Sequence, residues 1–441
     1  MRHFFQKEAL LNGSKRILSL QDWRRRLLFW IGGLTVGLVC VAFAVVCDHI
    51  NNFFTQWIRL SYHPAMAFVV TPLGFMLISF LRRRYFGQCE GSGIPQVVAA
   101  LRIQDYHLRD KLVSLRIAIG KFVLTALGFL CGASIGREGP TIQLSASLMH
   151  VLGRWASFDR QDIDRGLLLA GGAAGIAAAF NAPLAGIVFA IEELRGSFDK
   201  GVSGTIIRTV VLSGIVAQAL LGNYLYFGRS SAMLDIWHSG WYVILCVAIL
   251  GGAAGGLFSA LLVKTSAWLK PWLRKYPWWI TAILGLLVAL VGFSTQGITY
   301  GSGYEAARGL ITGQQHLGTT IFYGPWKMLA TLLTYLSGIP GGIFAPSLST
   351  GAGLGALIAT FFNNQFHQVI ILLATVAYFS GVVQSPITAF VIVLEMTDNT
   401  ASNMVLPIMI TSMIATAVSK TICREPLYQK LALRYLPHRW Q

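Results

Sequence analysis

Acidic side chains are scarce in this chain, with 18 Asp and Glu against 35 Lys and Arg in 441 residues, and charged residues of all kinds make up only 12%. With 54% hydrophobic residues and a mean hydropathy of +0.60, that scarcity excludes an ordinary soluble domain. No polar block of domain size occurs, so the chain reads as one membrane domain without a cytoplasmic regulatory module. Cysteine is sparse too. Cys40, Cys47, Cys89, Cys131, Cys246 and Cys423 lie scattered without C-x-x-C pairing and read as structural thiols. No cluster of histidine, cysteine and carboxylate has metal-ligand spacing, so no metal or other cofactor is expected. No small-residue cleavage pattern follows the first long apolar run, Leu27 to Cys47, which therefore reads as a span and not as a cleavable signal.

What is present is positive charge and long apolar runs. The net charge of +17 would suit nucleic acid, but the cations cluster around the runs. Arg24, Arg25 and Arg26 precede the first span, Arg82, Arg83 and Arg84 follow the second, and Arg424, Lys430, Arg434 and Arg439 crowd the C-terminus. By the positive-inside rule these clusters face the cytoplasm, which puts both termini inside. Membrane lipid is then the expected partner, and nucleic acid is set aside. The sequon Asn12-Gly13-Ser14 falls on the cytoplasmic side and is discarded.

Further apolar stretches run through roughly 64 to 81, 114 to 132, 143 to 153, 167 to 193, 206 to 226, 239 to 264, 277 to 293, 318 to 337, 343 to 362, 367 to 394 and 403 to 419. Some are too short for a simple span, and others are long enough to tilt or break in two. The expected organisation is a cytoplasmic segment 1–26, a membrane domain 27–420 with halves 27–230 and 238–420, and a cytoplasmic segment 421–441.

The halves follow from an internal repeat. Pro183 and Glu192 stand nine residues apart in N-A-P-L-A-G-I-V-F-A-I-E, as do Pro386 and Glu395 in Q-S-P-I-T-A-F-V-I-V-L-E. Upstream, G-R-E-G-P and G-I-F-A-P end 43 and 40 residues before those prolines. Gly91-Ser92-Gly93 and Gly301-Ser302-Gly303 lie further upstream, with 46 residues from Ser92 to Glu138 and 42 from Ser302 to Phe344. Ordered anchors at nearly constant spacing imply a duplicated fold, and duplicated transporters commonly place the substrate between their halves. Spacing alone leaves parallel and inverted repeats both open.

Three strings carry the chemistry: Gly91, Ser92, Gly93, Ile94 and Pro95; Gly136, Arg137, Glu138, Gly139 and Pro140; and Gly342, Ile343, Phe344, Ala345 and Pro346. Glycine and proline there open the backbone ahead of helix-capable residues, so free N–H groups and helix dipoles converge where an anion would be held. Conduction needs binding weak enough to release, and Ser92 supplies a hydroxyl donor in place of a full charge. Glu138 competes with any anion there. Ionised, it would fill the site as a tethered anion; protonated, it would vacate it. The plainer alternative pairs it with Arg137. Of Glu192 and Glu193, either one pairs with Arg195 while the other faces the interior, or both are simply acids at a cytoplasmic helix end. Lys121 and Lys327, inside apolar runs, are expected to snorkel or pair. Gly132-Ala133-Ser134-Ile135-Gly136 matches the G-x-S-x-G of hydrolases, but the nearest histidine, His150, stands near a span end, so an enzyme is not expected. The run Gly251 to Gly256 reads as close helix packing.

These strings, in this order and spacing, resemble the selectivity-filter segments of the CLC chloride channels and transporters. N-A-P-L-A-G with its Glu pair, E-M-T-D-N at 395 to 399 and E-P-L-Y at 425 to 428 extend the resemblance over nearly the whole chain. It implies an all-α polytopic membrane protein with the CLC fold: two inverted-repeat halves of broken and tilted helices, paired as a homodimer in the inner (plasma) membrane. It further implies chloride bound by the Ser92 and Tyr428 hydroxyls and the amides of Ile343 and Phe344, with Glu138 as external gate and Glu193 as internal proton-transfer group. The transported ligands would be chloride and proton. Gln96 and Val98 depart from acids common in the family, which puts local ion pairing and coupling in question. Ser92 favours chloride over nitrate, and the fluoride-exporting branch has different filter strings. A chloride/proton antiporter is the expected activity. A passive voltage- or pH-gated chloride channel and, from another class, a cation-coupled solute carrier are its competitors.

Overall fold

The computed structural model describes residues 20–60, 64–156, 161–194, 203–222, 225–230, 232–234, 240–314, 321–397 and 403–436. The expectations for Asn12, Arg195, Asp398, Asn399 and Arg439 lie outside these residues. Eight described helices are long and apolar enough to cross a membrane. α1 (Leu20–Leu60) carries the chain across and α2 (Ala67–Tyr85) brings it back, ending on Arg82, Arg83 and Arg84. The first span is thus much longer than Leu27 to Cys47, because more polar turns, Leu20 to Arg26 and Asp48 to Leu60, extend it at both ends.

The first half continues through α3 (Ile94–Arg102), α4 (Tyr106–Asp110), α5 (Leu115–Leu130), α6 (Glu138–Trp155), α7 (Gln161–Phe180), α8 (Pro183–Glu192) and α9 (Ser203–Leu221). α10 (Trp241–Lys275) and α11 (Pro277–Ser294) open the second half. It goes on through α12 (Tyr304–Ile311), α13 (Tyr323–Leu336), α14 (Phe344–Ala359), α15 (His367–Val383), α16 (Pro386–Thr397) and α17 (Val405–Ile422), before the short α18 (Leu427–Ala432). Stretches 167 to 193 and 367 to 394 each break at matched places. Asn181 and Gln384 adopt positive φ, and a proline two residues later starts the next helix, where its missing N–H costs nothing.

The repeat is inverted. Gly136 N–H donates to Gly342 O and Gly342 N–H donates to Gly136 O, both at 2.7 Å, an antiparallel bridge between equivalent residues. A reciprocal pair of this kind places a local two-fold axis between the halves. The short helices obey the same axis. Glu192 at the end of α8 accepts from Ile387 N–H (3.2 Å) and Thr388 N–H (2.6 Å) at the start of α16, while Glu395 accepts from Leu184 N–H (3.1 Å) and Ala185 N–H (2.7 Å) at the start of α8. Each half thus supplies the carboxylate cap of the other, satisfying amides that have no acceptor within their own helix.

Lys121 and Lys327 follow the pattern, and of the two expected fates each takes pairing over snorkelling. Both are fully buried. Lys121 Nζ donates to Cys89 O (2.9 Å) and Gly91 O (2.8 Å), and Lys327 Nζ donates to Thr299 O (2.9 Å) and Gly301 O (2.7 Å). Each ammonium gathers the carbonyls of the Gly-Ser-Gly turn in its own half, which compensates part of the large cost of a cation at that depth. Packing between the long helices depends on small residues. A Cβ on Gly252 would meet Ala415 O at 2.5 Å and one on Gly255 would meet Tyr378 O at 2.5 Å, so α10 lies close against α17 and α15.

Candidate functional site

The three glycine- and proline-containing strings meet at the bridge. Gly93, with φ 102° in the left-handed region that favours glycine, caps α3. A Cβ on Gly139 would lie 2.2 Å from Ser92 Oγ and 3.2 Å from Gly342 Cα, so this one residue touches both other strings. Gly341 N–H donates to Gly91 O at 3.0 Å, joining the first string to the third. The N-termini of α6 and α14 therefore converge on one buried point, with α3 beside it.

Glu138, the first residue of α6, is fully buried. Its Oε2 lies 3.4 Å from Ala345 N–H in the first turn of α14, and its Oε1 lies 3.4 Å from the Tyr226 hydroxyl. The carboxylate occupies the place where amides converge. The alternative pairing with Arg137 is not the arrangement found: the guanidinium forms a salt bridge with Asp48 and donates to Ala44 O at 3.0 Å.

Beyond the carboxylate, Ser92, whose Oγ lies against Gly139, and Tyr428, whose ring lies against Phe344, carry fully buried hydroxyls. Both oxygens are buried without a hydrogen-bond partner in the protein. Buried hydroxyls are nearly always paired, so two unpaired ones next to helix N-termini mark a position suited to an anion. Ile343 and Phe344 start α14 with amides that have no acceptor inside the helix. The Phe344 ring walls the position, 5.7 Å from the Tyr428 ring and 5.0 Å from Phe379 between centroids.

Glu193 stands apart from this cluster, just past the end of α8. Its Oε2 accepts from Ser385 Oγ at 2.6 Å, and its carbonyl accepts from Gln429 Nε2 at 2.9 Å, which ties it to the neighbour of Tyr428. Arg102 in turn contacts Gln429 Oε1. Gln96, where the resemblance leads one to expect an acid, donates to Glu90 O (2.6 Å) and Gln88 O (3.2 Å) and so braces the turn before Gly91. Val98 is simply core. Ser134 of the hydrolase-like string bonds Lys327 Nζ (2.9 Å), and that ammonium already gives its other two protons to carbonyls. It has no lone pair with which to activate a serine.

Sequence reasoning missed Tyr226 and Ser385. Tyr226 lies in no recognisable string, and Ser385, though inside the repeated Gln-Ser-Pro segment where it takes the place of Ala182, carries no signal there of a proton-handling role. Two cavities lead toward the cluster. One of about 340 Å³ is lined by Asp48, Arg137, Tyr226, Ser302 and Glu305, and the other, of about 780 Å³, by Gly91, Glu90, Tyr335 and several cations. Each Gly-Ser-Gly turn thus lines one of them.

The sequence profile described as voltage gated chloride channel matches residues 74–420, well over half of the chain. The chain belongs to this family. Among its CLC relatives, the H(+)/Cl(-) exchange transporter ClcA of Yersinia pestis bv. Antiqua (strain Angola) is 30% identical over 430 residues, covering 92% of this chain and 86% of that protein. The protein of the same name from Salmonella paratyphi A is 31% identical over 432 residues, covering 92% and 87%. A slow cyanobacterial Cl-/H+ antiporter of known structure superposes with a TM-score of 0.81 at 26% identity, covering 95% of this chain and 99% of that one. A CLC-type fluoride/proton antiporter shares the fold at a TM-score of 0.77 and 22% identity, covering 92% and 97%. The CLC fold accounts for the inverted halves and the broken helices described above.

Proposed function

We propose that this protein is a secondary active chloride/proton antiporter, in which one carboxylate and one chloride compete for the same buried position. The observation that carries this reading is the seat of Glu138 at the joined N-termini of α6 and α14, beside the orphan hydroxyls of Ser92 and Tyr428. Ionised, the carboxylate completes the amides electrostatically and bars chloride. A proton removes its charge, the helix termini lose their hold on it, and chloride takes its place against Ser92, Tyr428 and the amides of Ile343 and Phe344. The full filter comprises residues 91–95, 136–140 and 342–346. Glu193, with Ser385 and Gln429 around it, delivers protons from the opposite side. The names carried by the ClcA relatives and the cyanobacterial antiporter support exchange over passive conduction.

The reading extends to the whole chain: a membrane domain at 27–420 with halves 27–230 and 238–420, flanked by cytoplasmic segments, in a bacterial-type inner membrane. Two copies pair, each with its own pathway. At 10 and 12 residues, α8 and α16 are too short to cross the membrane, and the half-buried cap at Glu192 lies beside the exposed side chains of Ile191, Leu184 and Ile387. A second copy over that face would keep the carboxylate and its amides from lipid.

Reconstituted in liposomes under a chloride gradient alone, the protein is expected to move protons uphill. A reversal potential that follows chloride only would refute the antiporter reading in favour of a channel. Glu193→Gln is expected to abolish proton movement while chloride still flows. Glu138→Gln is expected to abolish it too and to leave chloride flux ungated; proton pumping intact in either variant rejects the role given to that residue.

A further inference from the structure

The larger cavity, about 780 Å³, is lined by Arg82, Arg83, Lys111, Lys270, Arg274 and Arg434. These come from four separate parts of the chain: the end of α2, the turn after α4, the last turns of α10 and the segment after α18. Its one lining carboxylate, Glu90, is already held by Arg82 at 2.6 Å and by the Tyr435 hydroxyl at 3.2 Å. Arg83 and Arg434 donate only to neutral oxygens, those of Leu273 and Ser266. No described carboxylate pairs with Lys111, Lys270 or Arg274, so most of the charge in this cavity is uncompensated. Lys270 and Arg274 sit one helical turn apart on α10, where like charges repel.

The volume far exceeds that of a chloride ion, and the lining includes Tyr335 and Gly91, the residue that precedes Ser92. The outer side of the same stretch of α10 exposes Trp268 and Trp272, with Trp278 and Trp279 following at the start of α11, a belt of the sort found at the level of lipid headgroups. A cavity lined by the same stretch of α10 that carries this belt, and lacking counter-charge, matches a phosphate group better than a halide, because several convergent cations reward a multivalent anion.

Resting on the proposed pathway past Ser92, we propose that this cavity binds a phosphate-bearing anion of two or more charges, held by Lys111, Lys270 and Arg274, and that its occupancy plugs one mouth of the pathway. The phosphate belongs either to a soluble polyphosphate or to an anionic phospholipid. The test uses purified protein in neutral detergent and in phosphatidylcholine liposomes, with tripolyphosphate as the soluble probe and cardiolipin-containing vesicles as the lipid arm. At ten times its dissociation constant the probe is expected to slow chloride efflux roughly tenfold, since only unoccupied protein conducts, and to raise the melting temperature in detergent. Slowing by cardiolipin alone identifies the lipid as the source, and slowing by tripolyphosphate alone identifies a soluble anion. The paired substitutions Lys270→Gln and Arg274→Gln, and independently Lys111→Gln, are expected to remove both the slowing and the melting shift. The proposal is overturned if neither probe shifts melting or slows efflux, or if the block survives in these variants. Failure of the transport reading is separately visible as absent chloride efflux without any probe, and it leaves the melting measurement intact.

Discussion

Two side chains whose roles no string in the sequence announced set how the proposed gate and relay behave. Tyr226 donates to the seated carboxylate of Glu138, and a hydrogen bond to a charged group contributes about 1.5–3 kcal/mol at good geometry. At 3.4 Å the bond is long, so about 1 kcal/mol is expected, and Tyr226→Phe should ease displacement of the carboxylate and tighten chloride binding about fivefold in titration calorimetry. Unchanged affinity would show that the hydroxyl does not hold the gate. Ser385 is bonded to Glu193 at 2.6 Å, a tighter contact. Ser385→Ala should slow proton transport by about tenfold while chloride flux falls little, and Ser385→Thr should restore it, because threonine keeps the donor. A parallel drop in both fluxes would mean a packing defect instead. The same residues show why the sequence fell short here. Glu138 and Ser92 were legible because glycine and proline beside a polar group at membrane depth interrupt a helix that packing alone would leave whole. Tyr226 and Ser385 were not, since an aromatic in a connecting segment and a serine before a proline look ordinary until the distant carboxylate is in place.

Among the helices, the breaks were readable and the joins were not. Asn-Ala-Pro and Gln-Ser-Pro inside overlong apolar runs pointed to the two interruptions, and the nine-residue spacing from proline to glutamate was visible in both halves. What the glutamates do requires a partner some 200 positions away: each one caps the other's helix. Glu192→Gln and Glu395→Gln should therefore lower the melting temperature by similar amounts, each removing about 1 kcal/mol of capping. A loss confined to one variant would show that only one of the two caps is stabilising. The buried lysines belong to the same lesson. Apolar surroundings suggested long side chains reaching for water, but turns with unsatisfied carbonyls lay nearer, and the ammonium groups stayed inside.

For the molecule as a whole, the exposed apolar side chains around the Glu192 cap support the proposal that the working unit is a pair. Light scattering in mild detergent should return twice the protein mass of the 48.2 kDa chain, and Ile191→Trp together with Leu184→Trp should shift it toward the single chain while the fold persists by circular dichroism. Retention of the pair in that variant would place the contact elsewhere. The bridge between Gly136 and Gly342 has a mechanical consequence for such a unit. Two halves stitched together by a pair of 2.7 Å bonds at the ion position cannot rock apart about that position without breaking the stitch. On the proposed pathway, that stitch fits alternation by the swing of the Glu138 side chain against a stationary frame, more like a valve flap than a hinged jaw, with the frame free to be rigid because the moving part is so small.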